Sequence, residues 1–183
     1  MIIFIGGFIG SGQRFLAQSL ADRLGYHLYT KNIQKMETLR TIHRSRGMNL
    51  LPTDDVRLRI SQYIADELPL LAKMHKGLII RVPFHRAKPR NFLYDAAKNI
   101  GDALMIWIDS PDEDAYTRKV KINNRILRPE TVAKIRQKMR EEFEPFTNPV
   151  LVFENTGTPE DAAKRLCESV FTKMKHTNVI FVS

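Results

Sequence analysis

The segment that most constrains this chain lies near its start. The apolar run Ile2–Ile5 passes into Gly6-Gly7-Phe8-Ile9-Gly10-Ser11-Gly12-Gln13-Arg14 and then directly into an amphipathic stretch, Gln13–Leu24. Four glycines between a strand-like and a helix-like segment predict a backbone that curls tightly, with successive N–H groups turned inward and no Cβ in the way. Gly7 and Gly12 fit the phosphate-loop spacing of Gly, four residues, Gly, Lys and Ser or Thr, and Gly10 and Ser11 add small residues between them. The helix starting near Gln13 would aim its positive end at the same anion. Two positions depart from the pattern. Gln13 stands where lysine supplies a charge to the terminal phosphates, and Arg14 stands where a hydroxyl holds Mg²⁺. Arg14 restores a charge without being able to ligate a metal. The competing reading is a glycine-rich turn that binds nothing.

Further along, apolar runs alternate with helical patterns. Ile2–Ile5, Tyr26–Tyr29, Gly77–Pro83, Ala103–Ile108 and Val150–Phe153 read as strands, and all but the second are hydrophobic enough for burial on both faces of a parallel sheet. Gln13–Leu24, Asp54–Met74, Arg90–Ile100, Asp112–Asn124, Pro129–Phe143 and Pro159–Met174 read as helices. This alternation predicts an α/β domain with right-handed crossovers, and 183 residues suit one such domain. The tail piece Val179–Val182 is either an edge strand or surface packing.

The stretch Ile5–Tyr29, with Gly10-Ser11-Gly12-Gln13-Arg14 and then Leu20-Ala21-Asp22-Arg23-Leu24-Gly25-Tyr26-His27-Leu28-Tyr29, resembles the opening of the P-loop kinases of the nucleoside-monophosphate kinase superfamily. It is most similar to the cytidylate-kinase-like family, whose loop also lacks the lysine. The likeness is specific over about the first 30 residues and architectural thereafter. It implies a three-layer α/β/α P-loop fold, a five-stranded parallel sheet in the order 2-3-1-4-5 and a helical lid. On that frame the acceptor-binding insert spans about 31–75 and the lid about 112–145. The implied cofactors are ATP and Mg²⁺, with Gly7, Gly10, Ser11, Gly12, Gln13 and Arg14 as the nucleotide-binding residues.

The same likeness assigns work to arginines. In such kinases the insert after the second strand closes on the acceptor's phosphate, which puts Arg40 and Arg44 on the substrate; a solvated basic face is the alternative. Arg118 and Arg125, in the element Asp112–Arg125 after the fourth strand, become the catalytic candidates that neutralise the transferring phosphoryl group, against plain surface charge. Besides the lysine and hydroxyl, two acids of the family pattern are missing. Tyr29-Thr30-Lys31-Asn32 carries no acceptor carboxylate, with Glu37 the nearest acid, and the third strand runs into Val82-Pro83-Phe84-His85-Arg86 without the acid that positions Mg²⁺. His85 is either a base or an incidental loop histidine. Asp109 reads as a strand end that caps the next helix, and Glu154–Glu160 as an Asn-x-Gly turn beside the adenine or a capped helix start. Pro129–Phe143, with Lys134, Arg136, Lys138 and Arg140, reads as the lid's return helix with a solvated outer face.

Composition narrows the partners. A net charge of +9 favours anions: nucleotides, small phosphorylated acceptors or nucleic acid. The basic stretches lack interleaved aromatics, which ranks nucleic acid lower. The lone Cys167 excludes an internal disulfide and reads as core filler. No run is long and apolar enough for a membrane span, and the first residues read as a strand, so a cytoplasmic setting is expected. Three functions follow in order: a phosphotransferase moving the γ-phosphoryl of ATP to a small acceptor such as a nucleoside monophosphate, a degenerate relative that binds nucleotide or a partner without efficient catalysis, and a nucleic-acid-end kinase or binder.

Overall fold

The computed structural model describes residues 1–30, 53–82, 85–118, 121–122 and 125–178. Its centre is β1 (Ile2–Gly7), buried at every position. β1 lies between β3 (Leu78–Arg81) and β4 (Ala103–Asp109), with β2 (His27–Tyr29) outside β3 and β7 (Val150–Glu154) outside β4. All four pairings are parallel. Counted along the chain, the five strands lie in the order 2-3-1-4-5, as the resemblance implied. The fifth strand departs from the expectation of two-sided burial. It is an edge, and Val152 is 60% exposed.

Strand alternation divides the core into two layers. Phe4, Leu78, Ile80, Met105 and Trp107 face α2 (Asp54–Met74), α3 (Ala87–Lys98) and α5 (Pro129–Glu141), which contribute Ile64, Leu68, Leu93, Ile135 and Met139. Ile3, Ile5, Ile79, Ile106 and Ile108 face α1 (Gln13–Leu24) and α6 (Pro159–Asn178), which contribute Leu16, Leu20, Leu166, Cys167 and Val170. The result is the three-layer α/β/α arrangement. Cys167 is the core filler expected of it. Gly25 ends α1 in the left-handed region at φ +63°, its N–H bonded to the Ala21 carbonyl. Among the described residues no helix is long and apolar enough to cross a membrane.

Three elements differ from expectation. The helix predicted over Arg90–Ile100 is α3, starting three residues earlier because Pro89 is tolerated within a first turn. The helix predicted over Asp112–Asn124 is the short α4 (Asp112–Thr117), and Arg118 leaves it in extended conformation. A two-stranded antiparallel ribbon follows, β5 (Lys121–Ile122) with β6 (Arg125–Ile126). Finally, Arg136 is fully buried instead of lying on the solvated face of α5. It shares a helical stripe with Val132, Ile135 and Met139, at the spacing of one inward face. Arg40 and Arg44 and the tail piece Val179–Val182 lie outside the described residues.

Candidate functional site

At the C-terminal end of β1 the chain turns through Phe8–Gly12 and enters α1. Gly10 (φ +81°) and Gly12 (φ +86°) adopt left-handed conformations that side chains disfavour. A Cβ on Gly10 would also lie 2.8 Å from the Ala115 carbonyl, and one on Gly12 would collide with the Asn155 amide. Phe8 anchors the turn from below, its ring edge-on to Trp107 at 4.9 Å. Ser11 is buried, and its N–H donates to the Phe8 carbonyl at 3.1 Å.

α1 has no side-chain cap, and its first internal bond runs from the Leu16 N–H to the Gly12 carbonyl. The N–H groups of Gln13, Arg14 and Phe15 therefore have no acceptor among the described residues. Together with the helix dipole they make a positive, donor-only patch that suits an anion.

The side chain of Gln13 turns back into the loop. Its amide nitrogen lies 2.6 Å from the Gly7 carbonyl, 3.3 Å from the Phe8 carbonyl and 3.2 Å from Ser11 Oγ. It binds the loop's carbonyls and leaves the first-turn N–H groups uncovered. Gln13 thus replaces the lysine as a brace but not as a charge. Arg14 is exposed at the head of α1.

Three side chains from later in the sequence hold the loop. Asn155, buried after β7, donates from Nδ2 to the Ser11 carbonyl at 2.7 Å. Arg118 donates to the Gly10 carbonyl at 3.0 Å and to the Asn155 carbonyl at 3.3 Å, with Asp114 at 3.7 Å. Burial lowers the Arg118 pKa, Asp114 opposes that, and the Arg136 charge adds to the lowering. Arg136 donates to the Ile9 carbonyl at 3.0 Å, to the Ser110 carbonyl, and from Nε to Asp112 at 2.6 Å. The bonds from Arg140, more than those from Arg136, hold the Asp112 carboxyl well below its usual range.

The structure brings Gly7, Gly10, Ser11, Gly12, Gln13, Arg14 and Arg118 together around one turn. Arg125 opens β6, and its side chain lies outside what is described. Arg136 escaped the sequence reading, although its place on the Val132–Met139 stripe signalled burial. Asn155 stood in the Asn-x-Gly turn, and the same turn caps α6: the Asp161 N–H donates to Thr158 Oγ1 at 3.2 Å.

The Mg²⁺ that the resemblance implies does not fit the residues present. Arg14 holds the hydroxyl position, and β3 runs into Val82, Pro83, Phe84, His85 and Arg86 with no acid among them. Asp109, at the end of β4, accepts the Ser110 N–H at 2.9 Å and lies 3.8 Å from Arg136. Among the described residues no three His, Cys, Asp or Glu side chains cluster as metal ligands.

Beside this turn, an ionic network links the two ends of the adjoining helices. Arg57 of α2, only 5% exposed, pairs with Asp54 at 3.0 Å and with Glu142, just past α5, at 3.3 Å. Arg86 joins Asp54 at 2.7 Å to Glu144 at 3.3 Å. His85 is buried within this group, 3.5 Å from Glu142. Burial first, then the charges of Arg57 and Arg86, push its pKa down to about 3, so it is neutral at neutral pH. That state disfavours His85 as a base poised near pH 7.

No protein-family model and no curated protein matches the sequence. Solved structures do resemble it. A gluconokinase from Sinorhizobium meliloti 1021 is 17% identical with a TM-score of 0.59, covering 93% of this chain and 95% of that one. The Mycobacterium tuberculosis APS kinase, solved with AMPPNP and APS, is 15% identical with a TM-score of 0.60, covering 91% and 95%. The shikimate kinase from Aquifex aeolicus is 16% identical with a TM-score of 0.52, covering 95% and 98%. At these identities the likeness establishes the fold, that of P-loop kinases, and nothing finer.

Proposed function

From the P-loop kinase fold and the geometry at the head of α1, we propose that this chain binds the phosphates of a nucleotide at Gly7–Arg14. The observation that carries the proposal is the set of N–H groups at Gln13, Arg14 and Phe15, left without acceptors among the described residues. Arg118, Asn155 and Arg136 brace the turn around them from three separate elements. A loop merely connecting a strand to a helix has no need of such bracing.

Phosphoryl transfer is the second reading: ATP as donor and a small acceptor, a nucleoside monophosphate by the likeness of the loop to cytidylate kinases. The network from Asp54 and Arg57 through Glu142 and Arg86 favours it, because it ties the acceptor-side helix α2 to the end of α5. Such a link lets acceptor binding and lid position influence one another. Arg14 at the hydroxyl position and the lack of an acid after β3 weigh against fast transfer, so nucleotide binding is the primary reading.

Thermal-shift and calorimetric titrations with ATP, ADP, AMP and CMP test it, since a ligand that binds only the folded state raises the melting temperature. Saturable ATP binding supports the nucleotide reading. ADP release in the presence of a monophosphate promotes the transferase reading to first place. Absence of both rejects the proposal.

A further inference from the structure

Just past α5 the chain runs through an irregular segment, 142–146, whose acids and rings go to different neighbours. Glu142 accepts from Arg57 of α2 at 3.3 Å, and Glu144 pairs with Arg86 at 3.3 Å and accepts the Ala87 N–H at the head of α3. The main chain is fastened to the same side: the Glu144 N–H donates to the His85 carbonyl at 2.9 Å, and Arg90 donates to the Glu144 carbonyl at 3.0 Å. The Phe143 ring joins an aromatic cluster instead. It lies 5.3 Å from Trp107 of β4, 5.4 Å from Phe146 and 5.9 Å from Phe8, at interplanar angles of 55°, 69° and 66°. These are the inclined geometries that aromatic pairs favour.

Phe8 carries this cluster into the glycine-rich turn. Its carbonyl accepts the Ser11 N–H at 3.1 Å and the Gln13 amide at 3.3 Å, two of the bonds that close the loop ahead of the uncovered N–H groups. The residue is only 8% exposed and its ring is held against Trp107 at 4.9 Å, so ring and carbonyl have little room to move separately.

We propose that Phe143 is a positioning residue for nucleotide binding: through it the ionic junction of α2 and α3 sets the shape of the glycine-rich turn, and with it the affinity for a nucleotide's phosphates. The inference rests on the nucleotide-binding reading of the loop. Linkage makes the effect mutual, because an anion that fixes the turn favours the arrangement of 142–146 in which Glu142 meets Arg57.

Calorimetric titration of the full chain with ATP tests the proposal, in wild type, Phe143→Leu, Glu142→Gln and the double variant, with melting temperatures measured alongside. Each single substitution should weaken ATP binding about threefold, and the double variant should bind no more weakly than Phe143→Leu, since both act along one route. Phe143→Tyr keeps the ring and should keep wild-type affinity. Glu142→Gln should lower the melting temperature with or without the Phe143 ring, because its bond from Arg57 supports the fold in either case. Glu142 is 29% exposed, so its replacement leaves the fold standing and decides the matter even if Phe143→Leu does not fold. ATP affinity unchanged in Glu142→Gln or in Phe143→Leu overturns the proposal, whatever happens to stability. Losses that multiply in the double variant also overturn it, since the two residues would then act independently. These outcomes leave the nucleotide reading intact, whereas a wild type that binds no ATP overturns both together.

Discussion

Arg118 Nη1 donates to the Gly10 carbonyl across 3.0 Å, so this arginine grips the glycine-rich turn itself. The same guanidinium donates to the Asn155 carbonyl, and Asn155 in turn donates to the Ser11 carbonyl. Two side chains and two loop carbonyls form one closed brace.

Arg118→Ala and Asn155→Ala should each lower stability by about 1–2 kcal/mol and weaken ATP binding, because each removes bonds that shape the turn. Their effects should be less than additive, since the residues share a contact. Melting temperatures and ATP titrations of the two single variants and the double variant check this. If Arg118→Ala lowered turnover with a monophosphate and left both stability and binding untouched, a role at the transferring phosphoryl group would replace the brace.

Gln13→Lys should tighten ATP binding about fivefold, a factor set by adding one ammonium at the phosphate position. The lysine can still donate to the Gly7 carbonyl that Gln13 reaches at 2.6 Å, so the loop keeps its shape. Calorimetry in EDTA measures the gain. A loss of affinity would mean that the Gln13 amide contributes to the anion site directly.

Arg136→Met should destabilise the fold by roughly 2–3 kcal/mol, because it removes a fully buried guanidinium that satisfies two loop carbonyls and pairs with the partly exposed Asp112. The change strands the Ile9 and Ser110 carbonyls and leaves Asp112 with Arg140 alone of its two arginine partners. Denaturant unfolding gives the figure. A change below about 1 kcal/mol would show that the pair is replaceable by packing.

Acid should destabilise the protein through His85. Its folded pKa, about 3, lies below the ordinary value of 6.5, so the unfolded chain binds the proton first. Stability is full above pH 6.5 and declines as the pH falls toward 3, by about 2–3 kcal/mol between pH 6.5 and 4.5. Glu142, at 3.5 Å, is the group placed to moderate the loss by pairing with the imidazolium. Asp54, whose pKa is lowered chiefly by its bond from Arg86, loses its contribution only below the ordinary carboxylate range, so the two windows separate. Denaturant midpoints of wild type and His85→Gln, compared from pH 7 to 4.5, should converge as the pH drops. Parallel curves would remove His85 from the account.

Much of this architecture could be read along the chain. The glycine pattern after Ile5 and the uncapped start of α1 are local features, set by backbone sterics and by N–H groups within one turn of each other. The alternation that sends Phe4 to one core layer and Ile5 to the other is equally local. The helix expected through Asn124 was misjudged because nothing in Asp112–Asn124 marks a stop at Thr117. Arg118 leaves the helix to reach a carbonyl that only the folded chain brings near.

The amino-acid order was sufficient for the parallel α/β domain, for the glycine-rich turn at Gly7–Arg14, and for the missing lysine, hydroxyl and acid of the kinase pattern. Folding alone assigned Arg118 to the Gly10 carbonyl and buried Arg136 against Ile9. The reason is separation: Gly10 and Arg118 are 108 positions apart and Ile9 and Arg136 are 127 apart. Periodicity and turn chemistry act over a few residues, whereas the partner of a long cationic side chain is chosen by whichever carbonyls and charges the packed sheet and helices bring within reach.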